Sequence, residues 1–301
     1  MLTALIETMR PRQWTKNFVI FAGILFTQNL HVPHLLLKTI VAFFLFCMIS
    51  GSVYIFNDVL DYKRDLAHPQ KKFRPIASGR FPRHYALIAG SVICLLTLFF
   101  SFIMSIEFGS ITLIYFLLNL AYSMYLKNIV ILDVIIIASG FVLRAVAGAR
   151  VIEVSVSHWL LVCTFLLALF LALCKRRHEL KLIEDNAANH RAVLVEYSSK
   201  LLDQMVAIVT AGALMAYALY TISPEVTNRF GTDKLVYTVP FVLFAIFRYL
   251  YLVLNRNLGG SPERVLIQDK AMVIDIVLWV IAVVGILYFT KIKEQIIVLF
   301  S

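Results

Sequence analysis

Apolar residues in this chain gather into runs of about 18 to 22, separated by polar stretches, and each run is long enough to cross a hydrocarbon core of roughly 30 Å as a helix. The runs are centred near Ile24, Phe46, Leu95, Leu117, Ile137, Phe165, Ala213, Phe244 and Val280. The pattern predicts an all-α integral membrane protein, about nine transmembrane helices in one bundle, forming a single polytopic domain over residues 1–301. The first run follows a basic leader as a signal peptide does, yet no small-residue cleavage pattern comes after it and further spans do. It is expected to remain as a span.

Two polar segments, about 57–84 and about 175–200, are too long to be simple turns. They follow the second and sixth runs, which suggests two similar four-span halves plus a ninth helix. Most of the 28 lysines and arginines lie between spans on the side of the N-terminus. That bias predicts an inner (plasma) membrane protein with its N-terminus cytoplasmic, its C-terminus outside and its active site on the cytoplasmic side.

Composition agrees: 60% of residues are hydrophobic and 15% charged, against about 45–50% and about 25% in a soluble domain. The net charge of +10 therefore collects on one membrane face, where anionic lipid attracts it. No nucleic-acid-binding module accompanies it, so nucleic acid is excluded as a partner. Cys47, Cys94, Cys163 and Cys174 form no C-x-x-C pair and read as packing residues.

The chemistry lies in "NDVLDYKRDLAHPQKKFRPIASG". If the helix of the second run continues, Asn57, Asp58, Asp61 and Asp65 fall on one narrow stripe. Like charges that close repel unless a cation neutralises them. Hard oxygens without His or Cys point to Mg²⁺, which binds through one or two carboxylates plus substrate phosphates, and so to a diphosphate ligand. The plainer alternative is a solvated helix end whose aspartates pair with Lys63, Arg64 or Lys71. Lys71, Lys72 and Arg74 lie just beyond, placed to hold phosphate oxygens that the metal does not reach.

In the second segment Lys175, Arg176 and Glu179 sit one turn apart, better suited to phosphates than to a second metal; Glu179 takes a metal-bound water or pairs with Lys175. Glu184 and Asp185 form only a weak metal signature, and His178 and His190 read as surface residues. Near the junction of spans four and five, "YSMYLKNIVILD" supplies Tyr122, Tyr125, Lys127, Asn128 and Asp133, and Asp133 needs a partner inside an apolar run. "RPRQWTKN" places Arg10, Arg12, Trp14, Lys16 and Asn17 before the first span, either as an interfacial anchor or as part of the site.

The N-D-x-x-D-x-x-x-D motif on the second of about nine helices, with Y-S-x-x-L-K between spans four and five, resembles the UbiA superfamily of intramembrane prenyltransferases over nearly the whole chain. "RPRQWTKN", "LKNIVILDVIIIASGFVLRAVAG", "KRRHEL" and "GSPERVLIQDK" look closest to its decaprenyl-phosphate phosphoribosyltransferase branch. Where the superfamily has a second D-x-x-x-D, this chain has Lys175, Arg176 and Glu179. The resemblance implies 5-phosphoribosyl 1-diphosphate as donor and a polyprenyl phosphate as acceptor, serving cell-envelope pentose glycans. It implies Asp58, Asp61, Lys175 and Arg176 as catalytic residues; Asn57, Lys16, Lys71, Arg74, Tyr122, Lys127 and Glu179 at the substrates; and Asn57, Asp58, Asp61 and Asp65 on Mg²⁺. A homo-oligomer is compatible with it. Two rival readings stand beside this one: ordinary prenyl transfer from a polyprenyl diphosphate to an aromatic acceptor, and non-enzymatic transport of a phosphorylated lipid.

Overall fold

The computed structural model describes residues 1–185, 196–256, 260, 265 and 268–300. The Glu184 and Asp185 side chains, and His190, lie outside the described residues. All regular elements among the described residues are helical. They divide into two compact units, Met1–Val156 and Ser157–Asn186 with Tyr197–Ser301. Each unit carries four helices of membrane length.

In the first unit α1 (Leu2–Met9) leads through a 3₁₀ segment, Pro11–Phe21, into α2 (Ala22–Phe26). The membrane-length helices follow: α3 (Pro33–Leu60), α5 (Arg83–Met104), α6 (Ile106–Met124) and α7 (Leu132–Arg150), with the short α4 (Tyr62–Leu66) after α3. Pro33 opens α3 where a missing N–H costs nothing. Ser105 separates α5 from α6, and its Oγ accepts the Phe108 N–H at 3.0 Å as an N-cap. Thr39, Ser50 and Ser52 of α3 donate to carbonyls of their own helix at 2.8–3.1 Å, which satisfies their hydroxyls without water.

The expected first span near Ile24 is not a long α-helix. Arg10 adopts a left-handed conformation, φ 53° and ψ 64°, and Pro11 starts the 3₁₀ run directly after it. Farther along, Asn17 is drawn sideways into a buried network. Arg144 of α7 donates from Nε to Asn17 Oδ1 at 2.7 Å and from a terminal nitrogen to Tyr115 Oη at 2.7 Å, while Asn17 Nδ2 reaches Ser50 Oγ at 3.3 Å. A guanidinium at membrane depth needs such partners, and they come from the 3₁₀ segment, α3 and α6 together. At about 2.0 Å of rise per residue, the 3₁₀ segment extends roughly 22 Å. The membrane-length α-helices among the described residues number eight.

Ile20 and Ile24 seat in a core with Phe46, Ile49, Phe108, Tyr115 and Ala147. Small residues let backbone meet backbone there: a Cβ on Gly148 would lie 2.0 Å from the Ile20 carbonyl oxygen, and one on Gly23 would lie 2.9 Å from the Ala149 backbone.

The second unit contains α8 (His158–Asp185), α9 (Ser199–Ile222), α10 (Pro224–Phe230), α11 (Val239–Asn255) and α12 (Lys270–Phe300). Arg177 of α8 is ion-paired with Asp203 of α9. Arg248 of α11 reaches Asp269 with two bonds of 3.1 and 2.8 Å, and Asp269 also accepts the Met272 N–H at 2.9 Å, capping α12.

Gly148→Ala is expected to destabilise the protein by roughly 1–3 kcal/mol, because the new methyl meets a carbonyl fixed in the backbone. Thermal unfolding in detergent of this variant beside Gly140→Ala checks it; at Gly140 the nearest atom to an added Cβ is 3.5 Å away, and the effect should be smaller.

Candidate active site

The acidic motif sits where α3 ends. Asp61 closes α3 with φ −86° and ψ 6°, outside helical geometry, and α4 starts at the next residue. Hydrogen bonding runs on through the bend, Asp61 N–H to the Asn57 carbonyl at 2.9 Å and Asp65 N–H to the Asp61 carbonyl at 2.8 Å. The bend parts the side chains all the same. Asp58 and Asp65, 2% and 3% exposed, turn to one side, and Asp61, with 23% of its side chain exposed, turns to another. The single stripe expected of Asn57, Asp58, Asp61 and Asp65 is thus split, and among the described residues no three carboxylate, imidazole or thiol groups converge.

Each carboxylate meets a cation from elsewhere in the chain. One Arg74 nitrogen donates to Asp58 at 3.0 Å and to Asp65 at 2.7 Å. Arg10 makes a second ion pair with Asp58 and lies 4.9 Å over the Tyr54 ring. Lys127 Nζ sits on both oxygens of Asp61, at 2.8 and 3.1 Å, with Arg64 farther off at 3.9 Å. Lys127, 7% exposed, is thus held at Asp61. Asp133 is fully buried in the first turn of α7, where a helix N-terminus favours negative charge. Of the local partners expected for the aspartates, Arg64 approaches Asp61, at 3.9 Å.

The basic loop can reach back because its apolar residues are anchored. Ile76 and Phe81 are buried with Ala4 and Met9 of α1 and Ile55 and Val59 of α3. Gly79, at φ 78°, makes the turn, and the Phe81 N–H closes it on the Pro75 carbonyl at 2.9 Å. Glu7 and Arg80 clamp α1 to the same loop with two bonds of 2.9 Å. Lys16 donates to Gln13 Oε1 at 3.0 Å, and Tyr54 donates to that oxygen at 2.9 Å, which sets Lys16 beside the Arg10–Tyr54 stack.

A cleft of about 460 Å³ opens beside the motif, lined by Asp61, Tyr62, Lys63, Arg64, Arg83, Ser123, Tyr125 and Lys127 among others. Tyr125 borders it. Asn57 and Tyr122 are half-buried, and Lys71 lies in a short 3₁₀ turn, Lys71–Phe73.

In the second unit Arg176, 1% exposed, is ion-paired with Glu179. Lys175, which the sequence offered as a partner for Glu179, is half-buried on the same turn.

The model of the UbiA prenyltransferase family matches residues 17–267. The chain belongs to the UbiA prenyltransferase family. A curated relative, the decaprenyl-phosphate phosphoribosyltransferase of Mycolicibacterium smegmatis, is 30% identical over 96% of this chain and 94% of its own. The protein of the same name from Corynebacterium glutamicum is 30% identical over 94% of this chain and 86% of its own. Among solved structures, a UbiA homolog from Archaeoglobus fulgidus bound to GPP and Mg²⁺ superimposes with a TM-score of 0.70 at 16% identity, covering 95% of this chain and 99% of that one. A digeranylgeranylglyceryl phosphate synthase structure gives 0.64 at 18% identity, over 95% of this chain and 99% of that one. This UbiA protein is accordingly a membrane transferase with the family's fold.

Its acidic motif offers only hard oxygen donors, the chemistry of Mg²⁺ sites. The three aspartates are matched by Arg10, Arg74 and Lys127, so they fit an ion that uses one or two carboxylates and brings phosphates of its own, not a preformed cage. The sequence left Arg10 either in an interfacial anchor or at the site. The one signal for it was its place in a basic leader ahead of a proline.

Arg74→Ala takes the ion-pair partner from the buried Asp65 and leaves Asp58 to Arg10. It should cost stability at the lower end of the roughly 3–5 kcal/mol typical of a broken buried pair, since Arg74 is itself 27% exposed. Adding Asp65→Asn should recover part of that loss in a double-mutant cycle of unfolding. Arg80 holds the Glu7 carboxyl below the usual range. The α1 clamp therefore contributes fully above Glu7's unfolded value of 4.5 and is lost only as pH falls through the depressed one. Hydrogen exchange of α1 across that acid range should show protection persisting below pH 4.5 in the wild type, and no such step in Glu7→Gln.

Proposed function

We propose that this UbiA protein transfers a 5-phosphoribosyl group from 5-phosphoribosyl 1-diphosphate to a polyprenyl phosphate at the cytoplasmic face of the plasma membrane. The observation that carries the reading is the near full-length likeness to proteins named decaprenyl-phosphate phosphoribosyltransferase. The surplus of cations around the motif supports it, because this donor carries an extra phosphate.

In the reaction the bond from ribose C1 to the diphosphate breaks, the diphosphate leaves with the electron pair, and a phosphate oxygen of the lipid forms the new bond to C1. Direct attack from the opposite side inverts the anomeric centre. A phosphate monoester is largely dianionic at neutral pH, so no general base is required. Asp58 and Asp61, with Asp65 and Asn57 beside them, would hold Mg²⁺, which when bound neutralises charge on the departing diphosphate. Arg74 and Lys127, released from the carboxylates, turn to phosphate oxygens, and Lys16 and Lys71 add to the same positive field. Lys175 and Arg176 are assigned to phosphate binding as well, with Glu179 orienting Arg176. The lipid tail lies among the spans, the N-terminus is cytoplasmic and the C-terminus outside, and the product serves cell-envelope pentose glycans.

A second reading, prenyl transfer from a prenyl diphosphate, has its own support in the structural neighbour bound to GPP and Mg²⁺. A paired assay separates the two. Purified protein with Mg²⁺ receives labelled phosphoribosyl diphosphate and a polyprenyl phosphate in one tube, and labelled prenyl diphosphate with a phenolic acceptor in the other. Label should enter lipid only in the first tube and be lost with EDTA; transfer only in the second establishes the rival. Asp58→Ala and Asp61→Ala should each abolish transfer while the protein still inserts, and near-normal turnover in either would remove the metal assignment.

A further inference from the structure

The cleft beside Asp61 contains residues for which the proposed reaction has no use. Lys63, Arg64 and Arg83 line its mouth and are exposed. Among the described residues no carboxylate is ion-paired with Lys63 or Arg83, and Arg64 touches Asp61 only at 3.9 Å. Arg83 stacks 4.8 Å over the Tyr62 ring, which orients its guanidinium without neutralising it. With Lys127 at the inner wall, the lining sets four cations against one carboxylate, Asp61.

Position limits what such a cleft takes. α3 ends at Leu60, α6 ends at Met124 and α5 begins at Arg83, so three membrane-length helices terminate around it. Leu60, Met124 and Tyr125 line it as well and are 52%, 46% and 68% exposed. A site charged at the rim and apolar toward the ends of membrane helices matches an amphiphile with an anionic head.

We propose that this cleft binds the phosphate head of a membrane lipid through Lys63, Arg64 and Arg83, with the first part of the tail on Leu60, Met124 and Tyr125. The identification of that lipid with the polyprenyl phosphate acceptor rests on the proposed function; the binding site itself does not.

The probe is farnesyl phosphate, titrated into the full chain in detergent and followed by native mass spectrometry, with farnesol and inorganic phosphate as controls. Wild type should bind farnesyl phosphate at least tenfold more tightly than either control. The Arg64→Gln/Arg83→Gln variant should lose about tenfold, and Arg64→Lys/Arg83→Lys, which keeps the charge, should retain most of it. Equal binding by wild type and the glutamine variant overturns the proposal, as does inorganic phosphate binding as tightly as farnesyl phosphate. In the transfer assay the glutamine variant should raise KM for the lipid about tenfold and leave kcat and the donor KM unchanged. If farnesyl phosphate binding follows this pattern while neither labelled donor is used, the cleft assignment stands and the proposed reaction alone fails.

Discussion

Three carboxylates within two turns at the end of a membrane helix repel one another and lose hydration as they are buried, and only cations brought from outside the helix offset both effects. The first unit is organised to deliver them. Arg10 comes from the end of α1, Arg74 from the loop after α4 and Lys127 from the turn before α7. The carriers of Arg10 and Arg74 are fixed by apolar packing and a covering ion pair, as Ile76, Phe81 and the Glu7–Arg80 clamp show. The arrangement leaves Asp58, Asp61 and Asp65 each ion-paired.

The same logic operates deeper in the bilayer with neutral groups. Arg144 is surrounded by Asn17, Tyr115 and its own helix carbonyl at Gly140, which secures the 3₁₀ segment against α7 where Gly148 permits contact. The Pro11–Phe26 segment is therefore shaped by side-chain bonding, whereas the membrane-length helices of this unit follow their apolar length.

That difference explains what was legible in the sequence. Runs of apolar residues gave the eight long helices, because a membrane imposes length directly. The acidic motif and the two polar segments also stood out, being costly in such a chain. The bend at Asp61 and the 3₁₀ path of Pro11–Phe21 did not, since both depend on partners far away in sequence, Lys127 for the one and Arg144 for the other. The same holds for Arg10, whose target lies 48 positions on. Local patterns report the charge that must be compensated and are silent on which residue compensates it.

In the proposed reaction Mg²⁺ and the donor diphosphate take the places that Arg74 and Lys127 hold on the aspartates. An experimental structure of the protein with 5-phosphoribosyl 1-diphosphate and Mn²⁺ in place of Mg²⁺ tests it most directly. The account predicts metal at about 2.1 Å from an Asp58 or Asp61 oxygen, with Lys127 withdrawn from Asp61 onto a phosphate. A donor bound elsewhere, with the Arg74 and Lys127 pairs intact, would contradict it.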